Sequence, residues 1–164
     1  VAVNLVASVM FLIGVAVVYG ATGTLNLADL ARRLPGLLAS DRMLFDVGAA
    51  ILGIAFLVKA GSWPLNFWLP GTYAVALPPV GAVFALLTKV GVYALLRVGT
   101  LVSDDVAAAS MVGQALFYFG IATLLAGTVG MLAAQHLARL VSYTVVVSTG
   151  TLLAALGLGS PTLT

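Results

Sequence analysis

The chain has 164 residues, 62% hydrophobic and 7% charged, with a mean hydropathy of +1.20. Soluble domains average about 25% charged residues, and no water-soluble core of this size hides so much apolar surface, so the solvent is read as lipid. The net charge of +2 is too small to argue for nucleic acid. The lack of cysteine excludes iron–sulfur, zinc-thiolate and disulfide chemistry within the chain, and a single histidine cannot build a metal site, so no cofactor is expected.

A bilayer span needs about 20 mostly apolar residues. Residues 3–19 supply the first, ending at Tyr19-Gly20, where an aromatic ring suits the interface. Because this span starts at once from Val1 rather than Met, the chain is read as a piece of a longer protein cut inside its membrane region. A polar connection follows, in which Leu25, Leu27, Leu30, Leu34, Leu37 and Leu38 face partly one way. This predicts a short surface helix ended or bent by Pro35. Residues 44–60 form the second span, with Lys59 near its end. Gly61, Ser62, Trp63 and Pro64 interrupt it, yet apolar character continues through Leu65, Phe67, Trp68 and Leu69. The pattern predicts one discontinuous helix, resuming briefly before Pro70-Gly71. Irregular backbone at membrane depth survives only where protein or a hydrated cavity satisfies it, and such broken helices often flank ion sites in transporters.

The third span, residues 78–98, opens on Pro78-Pro79 at helix-start positions. Lys89 lies roughly 15 Å along it, close to mid-bilayer. Residues 106–132 follow the Ser103-Asp104-Asp105 turn as the fourth span, and residues 140–158 form the fifth after a connection containing His136 and Arg139. The expected fold is therefore an all-α polytopic membrane helix bundle. It has about five transmembrane helices, one of them broken, and residues 1–164 form a fragment of one transmembrane domain. The side holding Arg32, Arg33, Arg42 and Arg97 is richer in basic residues than the side holding Arg139. On the positive-inside rule the first side is cytoplasmic.

Two lysines inside apolar helices are the main functional signal. A lysine near the bilayer centre costs roughly 2.5–3.5 kcal/mol on insertion scales, and such residues mark ion or proton pathways. Burial disfavours the charged form, whereas the negative end of the half-helix that carries Lys59 favours it. The alternative for both is snorkelling, with the amine reaching the headgroups. Tyr93, four residues after Lys89, shares its face and could hydrogen-bond or carry water; simple packing is the alternative. His136 is a relay candidate or a solvent-exposed loop histidine. Asn66, just past Pro64, could satisfy backbone groups freed by the break. Trp63, Trp68 and Tyr73 are read as interface anchors or packing around it. Ser142, Tyr143, Ser148 and Thr149 either line a hydrated path or bond their own helix carbonyls. No acidic residue lies clearly inside a span, so a carboxylate partner is expected from another helix or subunit.

The run FLVKAGSWPLNFWLPGTYAVALPPVGAVFALLTKVGVYALLRV resembles the core of the proton-conducting membrane subunits shared by respiratory complex I and the Mrp-type multisubunit cation/proton antiporters. It holds Lys59, a Pro64 break, Trp68-Leu69-Pro70, Pro78-Pro79 and the Lys89-x-Gly91-x-Tyr93 pattern at the family's spacing. YGATGTLNLADLA upstream and HLARLVSYTVVVSTGTLLAALG downstream extend the likeness over nearly the whole chain. GTLNLADLA, WLPGTYA, LLTKVGVY and VVVSTGTLLAALG lean toward the D-type subunit of the Mrp/Pha-type antiporters.

The resemblance implies a subunit of roughly fourteen helices built from two inverted five-helix repeats. This chain would supply the sixth to tenth, with the broken helix seventh. It implies proton and monovalent cation (Na+ or K+) translocation, with Lys59 and Lys89 as proton relay and a glutamate on a preceding helix paired with Lys59. It also implies partner subunits in the lipid bilayer of the cell inner (plasma) membrane. The chain departs from the family pattern at Asn66, where histidine often stands, and at His136 and Ala138, where charged residues are usual. The family's usual topology runs against the arginine count, so orientation stays open. A proton-pumping subunit of a respiratory NADH-quinone oxidoreductase, itself without redox chemistry, is the alternative function, and a structural membrane scaffold is the third.

Overall fold

The computed structural model of the chain describes residues 2–102 and 106–158, with side chains described for residues 2–99 and 111–158; the expected Ser103-Asp104-Asp105 turn lies outside the described residues. Helix α1 (Ala2–Thr22) leads through a loop into the short α2 (Leu27–Arg33), followed by a 3-10 turn at Leu34–Gly36. Helix α3 (Ala39–Ala60), a second 3-10 turn at Leu65–Phe67 and α4 (Trp68–Val75) make up the broken span. Three long helices complete the bundle: α5 (Pro78–Val102), α6 (Val106–Leu132) and α7 (Leu137–Leu158). Five stretches among the described residues are long and apolar enough to cross a membrane, and Ala39–Val75 is one of them.

The expected surface helix forms at α2. Asn26 caps it by accepting the Ala28 N–H at 3.0 Å. Asp29 sits in the first turn and Arg32 and Arg33 in the last, as the helix dipole favours. Arg33 pairs with Asp29 at 3.0 Å and donates to the Thr22 carbonyl at 3.2 Å, tying α2 to the end of α1. The hydrogen bond from Arg33 holds the Asp29 carboxyl below its ordinary value. A depressed carboxyl stabilises the fold above its unfolded-state value, so this contribution is in place at neutral pH and is lost only as pH falls into the acid range.

The two largest boundary shifts are at α3 and α4. Helix α3 starts at Ala39 rather than 44, because Asp41 in its first turn favours the helix start and Arg42 pairs with Asp46 at 3.5 Å one turn on. Helix α4 does not stop before Pro70-Gly71 but runs to Val75. Pro70 occupies the first turn, where a missing N–H leaves no helix bond unmade.

Helices α1 and α3 pack antiparallel through two glycines. A Cβ on Gly14 would lie 2.7 Å from Leu52, and one on Gly48 would lie 2.9 Å from Val18. Below this contact Val18, Leu30, Leu34, Phe45 and Leu52 form a buried apolar cluster that closes one end of the pair. A second cluster, Ala60, Val92, Leu95 and Leu153, joins α3, α5 and α7. Helices α6 and α7 approach most closely: a Cβ on Gly120 would sit 2.4 Å from the Ala154 backbone nitrogen, and one on Gly150 2.7 Å from that of Leu124. Small residues permit this backbone contact, and in lipid it is packing rather than water exclusion that holds such helices together.

Gly120→Ala must push α7 away, and overpacking of this kind costs about 1–3 kcal/mol. Gly53→Ala meets nothing within 4 Å and should be neutral or stabilising by up to about 1 kcal/mol. Melting of the full-length protein in detergent should therefore show a lower Tm for the first variant and an equal or higher one for the second.

Candidate functional site

The helix registers bring the two lysines to one depth. Following the Gly14–Leu52 and Val18–Gly48 contacts seven residues further sets Ala7 and Ser8 beside Lys59. On the other face of α3, a Cβ on Gly91 would lie 3.2 Å from both the Ala60 nitrogen and the Phe56 carbonyl oxygen. Lys59 on α3 and Lys89 on α5 therefore stand within about 5 Å of one another along the helix axes.

Lys59 Nζ donates to Asn4 Oδ1 and Ser8 Oγ, both at 3.4 Å and both on α1. Asn4 and Ser8 are one helical turn apart, so they share a face of α1. Lys89 Nζ turns to α7, where it meets the Val145 carbonyl at 3.4 Å, Thr149 Oγ1 at 3.4 Å and Ser148 Oγ. Ser148 and Thr149 in turn donate to the Val145 carbonyl, at 3.0 and 3.1 Å. A lysine ammonium has three N–H donors. The three acceptors on α7 match that number for Lys89, whereas Lys59 has two acceptors on α1. Both amines thus point to polar groups of neighbouring helices.

A cavity of about 630 Å³ opens between α1, α3, α4 and α5, lined by Asn4, Phe56, Lys59, Trp68, Tyr73 and Thr88 among others. Trp68 Nε1 is buried and makes no hydrogen bond among the described residues. Tyr73 donates its hydroxyl to the Phe84 carbonyl at 2.8 Å and stacks edge-on to Trp68, with ring centroids 6.4 Å apart. The cavity therefore places the Lys59 side chain in a largely apolar wall. No cluster of three or more potential metal-ligating side chains occurs among the described residues.

Gly61 ends α3 in the left-handed conformation (φ 71°), and the Trp63–Pro64 peptide bond is cis. A Cβ at Gly61 would lie 2.5 Å from Leu69, so glycine answers both the backbone angle and the space. Asn66 contributes its backbone carbonyl, which accepts the Trp68 N–H. The side chain that reaches the break is Thr123 of α6, whose Oγ1 accepts the Trp63 N–H at 2.9 Å.

The other candidates lie apart from this layer. Tyr93 is 60% exposed on α5, and the Lys89 amine turns to α7 instead. His136 is exposed in the α6–α7 connection, its carbonyl receiving the Leu140 N–H at 3.1 Å. It stands twelve residues before Ser148, about 18 Å along α7. Pro64 is exposed at the break itself. Asn4, Ser8 and Thr123 escaped the sequence reading. The first two were discernible as a polar pair four residues apart in an otherwise apolar run, while Thr123 carries no local signal that sets it apart from other helix threonines.

The chain as a whole is similar to known membrane subunits. Residues 1–163 match the family model for the transmembrane domain of NADH:quinone oxidoreductases and Mrp antiporters, and the chain belongs to that family. It is 56% identical over 161 residues to the D-type subunit of a probable K(+)/H(+) antiporter of Rhizobium meliloti, covering 97% of this chain and 30% of that protein. It is 36% identical to the D-type subunit of the Na(+)/H(+) antiporter of Bacillus subtilis, covering 96% of this chain and 31% of that protein. Among solved structures it superposes on a chain of the Mrp complex from a Dietzia species with a TM-score of 0.82 at 32% identity, over 96% of this chain and 28% of the other. A chain of the membrane-bound sulfane sulfur reductase, an archaeal respiratory membrane complex, gives the same TM-score at 31% identity, over 95% and 31%. The chain thus spans less than a third of the length of these relatives.

The acceptor set around Lys89 can be tested without an activity assay. Hydrogen bonds to a charged group contribute about 1.5–3 kcal/mol each. Ser148→Ala with Thr149→Val should therefore lower the unfolding free energy of the full-length protein by about 2–4 kcal/mol. The same pair of changes should cost clearly less when Lys89 is methionine, as a double-mutant cycle by thermal or denaturant unfolding would show.

Proposed function

We propose that this chain is part of a membrane subunit of a multisubunit monovalent cation/proton antiporter, in which Lys59 and Lys89 relay protons through the bilayer. The observation that carries the reading is the placement of two lysines at one depth, both held by polar groups of adjacent helices beside a helix break. A scaffold whose lysines merely reached for headgroups would not need Asn4, Ser8, Ser148 and Thr149 on the facing helices.

The two sites differ in a way that suits different steps. Lys89 has an acceptor on α7 for each of its three ammonium protons. Lys59 borders the cavity with one donor more than it has acceptors on α1, so it is the group that exchanges a proton with water or with a carboxylate brought by another helix. The relatives named for antiport of K+ and of Na+ support exchange of a monovalent cation. The reductase chain of equal TM-score supports a second reading, a proton-translocating subunit of a respiratory membrane complex. Subunits that co-purify with the full-length protein separate the two.

In everted vesicles carrying the full assembly, Lys59→Ala should abolish cation-driven proton movement, read with a pH-sensitive dye. Lys89→Ala should lower the initial rate by about tenfold or more. Unchanged exchange in the Lys59 variant, at normal levels of the assembled complex, would refute the relay.

A further inference from the structure

The backbone at the break has few places to put its N–H groups. Gly61 donates to the Val58 carbonyl at 3.2 Å, Ser62 to the Leu57 carbonyl at 3.1 Å, and Leu65 to the Ser62 carbonyl at 2.7 Å. Pro64 has no N–H. Of the amides from Gly61 to Leu65, that of Trp63 goes to a different part of the bundle, to Thr123 Oγ1 of α6 at 2.9 Å. Thr123 is completely buried, at 0% exposure. Its own proton goes to the Phe119 carbonyl at 2.6 Å, which fixes the hydroxyl so that a lone pair faces the break.

Helix α6, which carries Thr123, is packed backbone-to-backbone on α7, which carries the acceptors of Lys89. Gly120 and Gly127 on α6 and Gly150 on α7 leave no side-chain cushion between the two helices. One close-packed hairpin therefore grips the chain four residues after Lys59 on one side and holds the amine of Lys89 on the other.

We infer that Thr123 is a positioning residue: its hydroxyl fixes where α3 ends, and so where the Lys59 amine stands, in the same frame that Ser148 and Thr149 provide for Lys89. A threonine without this task would serve equally well as valine, which has the same shape. With the acceptor removed, the Trp63 amide is left unpaired at membrane depth, where an unsatisfied backbone group is costly. The segment then shifts to find another partner and carries the last turn of α3 with it. This assignment rests on the proposed relay role of Lys59, which the alanine variant at that position tests separately.

The test compares Thr123→Val with Thr123→Ser in the full-length complex. At wild-type levels of assembled complex, the valine variant should exchange protons at least tenfold more slowly, and the serine variant should stay within twofold of wild type. Hydrogen–deuterium exchange of the peptide containing Trp63 should speed up in the valine variant and not in the serine variant. Thr123→Ala carries the same expectations as valine and replaces it should valine prevent assembly. A valine or alanine variant with wild-type exchange overturns the assignment, as does a serine variant as impaired as valine, which would mean that the methyl group matters and not the hydroxyl. If Lys59→Ala leaves transport intact, the relay reading fails, while the deuterium exchange at Trp63 still decides whether Thr123 secures the break.

Discussion

An ammonium group survives in hydrocarbon only if dipoles replace the water it has lost, and the arrangement of this bundle follows from that requirement. Each lysine obtains its dipoles from a helix other than its own. The acceptors of Lys59 lie on α1 and those of Lys89 on α7. The helices must then approach closely enough for short hydroxyls to reach an amine, and glycine at the contacts makes that approach possible. The close α1–α3 and α6–α7 packing and the polar layer are thus two aspects of one solution. Enlarging a contact residue would lengthen the same hydrogen bonds that keep the charge.

The break in the second span is subject to the same rule, applied to backbone instead of side chain. An uninterrupted helix satisfies its own amides; an interrupted one exports them to its neighbours. Here the export is kept small. Gly61 in the left-handed conformation folds the end of α3 back on its own carbonyls, proline deletes one donor, and a single threonine receives another. The C-terminal end of α3 then provides a negative pole close to Lys59. The interruption therefore leaves few amides for its neighbours to satisfy and sets a negative pole beside that amine.

Much of this was legible in the amino-acid order because lipid imposes harsh rules on composition. The five spans, the surface helix and the interruption at Gly61–Pro64 are all found within a few residues of their expected places. The errors have local causes. A proline reads as a stop, yet at Pro70 it falls within a first turn, where it is harmless. Aspartate and arginine read as loop, yet at Asp41, Arg42 and Asp46 they begin a helix. The two lysines stood out because charge in an apolar run is rare, but the direction of their side chains did not. Spacing placed Tyr93 on the face of Lys89, whereas the pairing of α5 with α7 decided which neighbour the amine meets. Thr123 acts across sixty residues of sequence, and nothing local marks a hydroxyl whose partner is a distant amide.

The apolar cluster of Val18, Leu30, Leu34, Phe45 and Leu52 makes the α1–α3 pair directional. It stands between the lysine layer and the rim that carries α2, where Arg33 clamps the surface helix to the end of α1. Water filing in from that rim along these two helices would meet a dry plug several turns deep before reaching an amine. The cavity beside Lys59 lies on the opposite side of the plug, against Trp68, Thr72 and Tyr73 of α4 and the stretch of α5 from Phe84 to Ala94. In the proposed relay, such a plug would screen the Lys59 amine from the rim that carries α2, the asymmetry a device needs if it is to work against a gradient rather than short-circuit it.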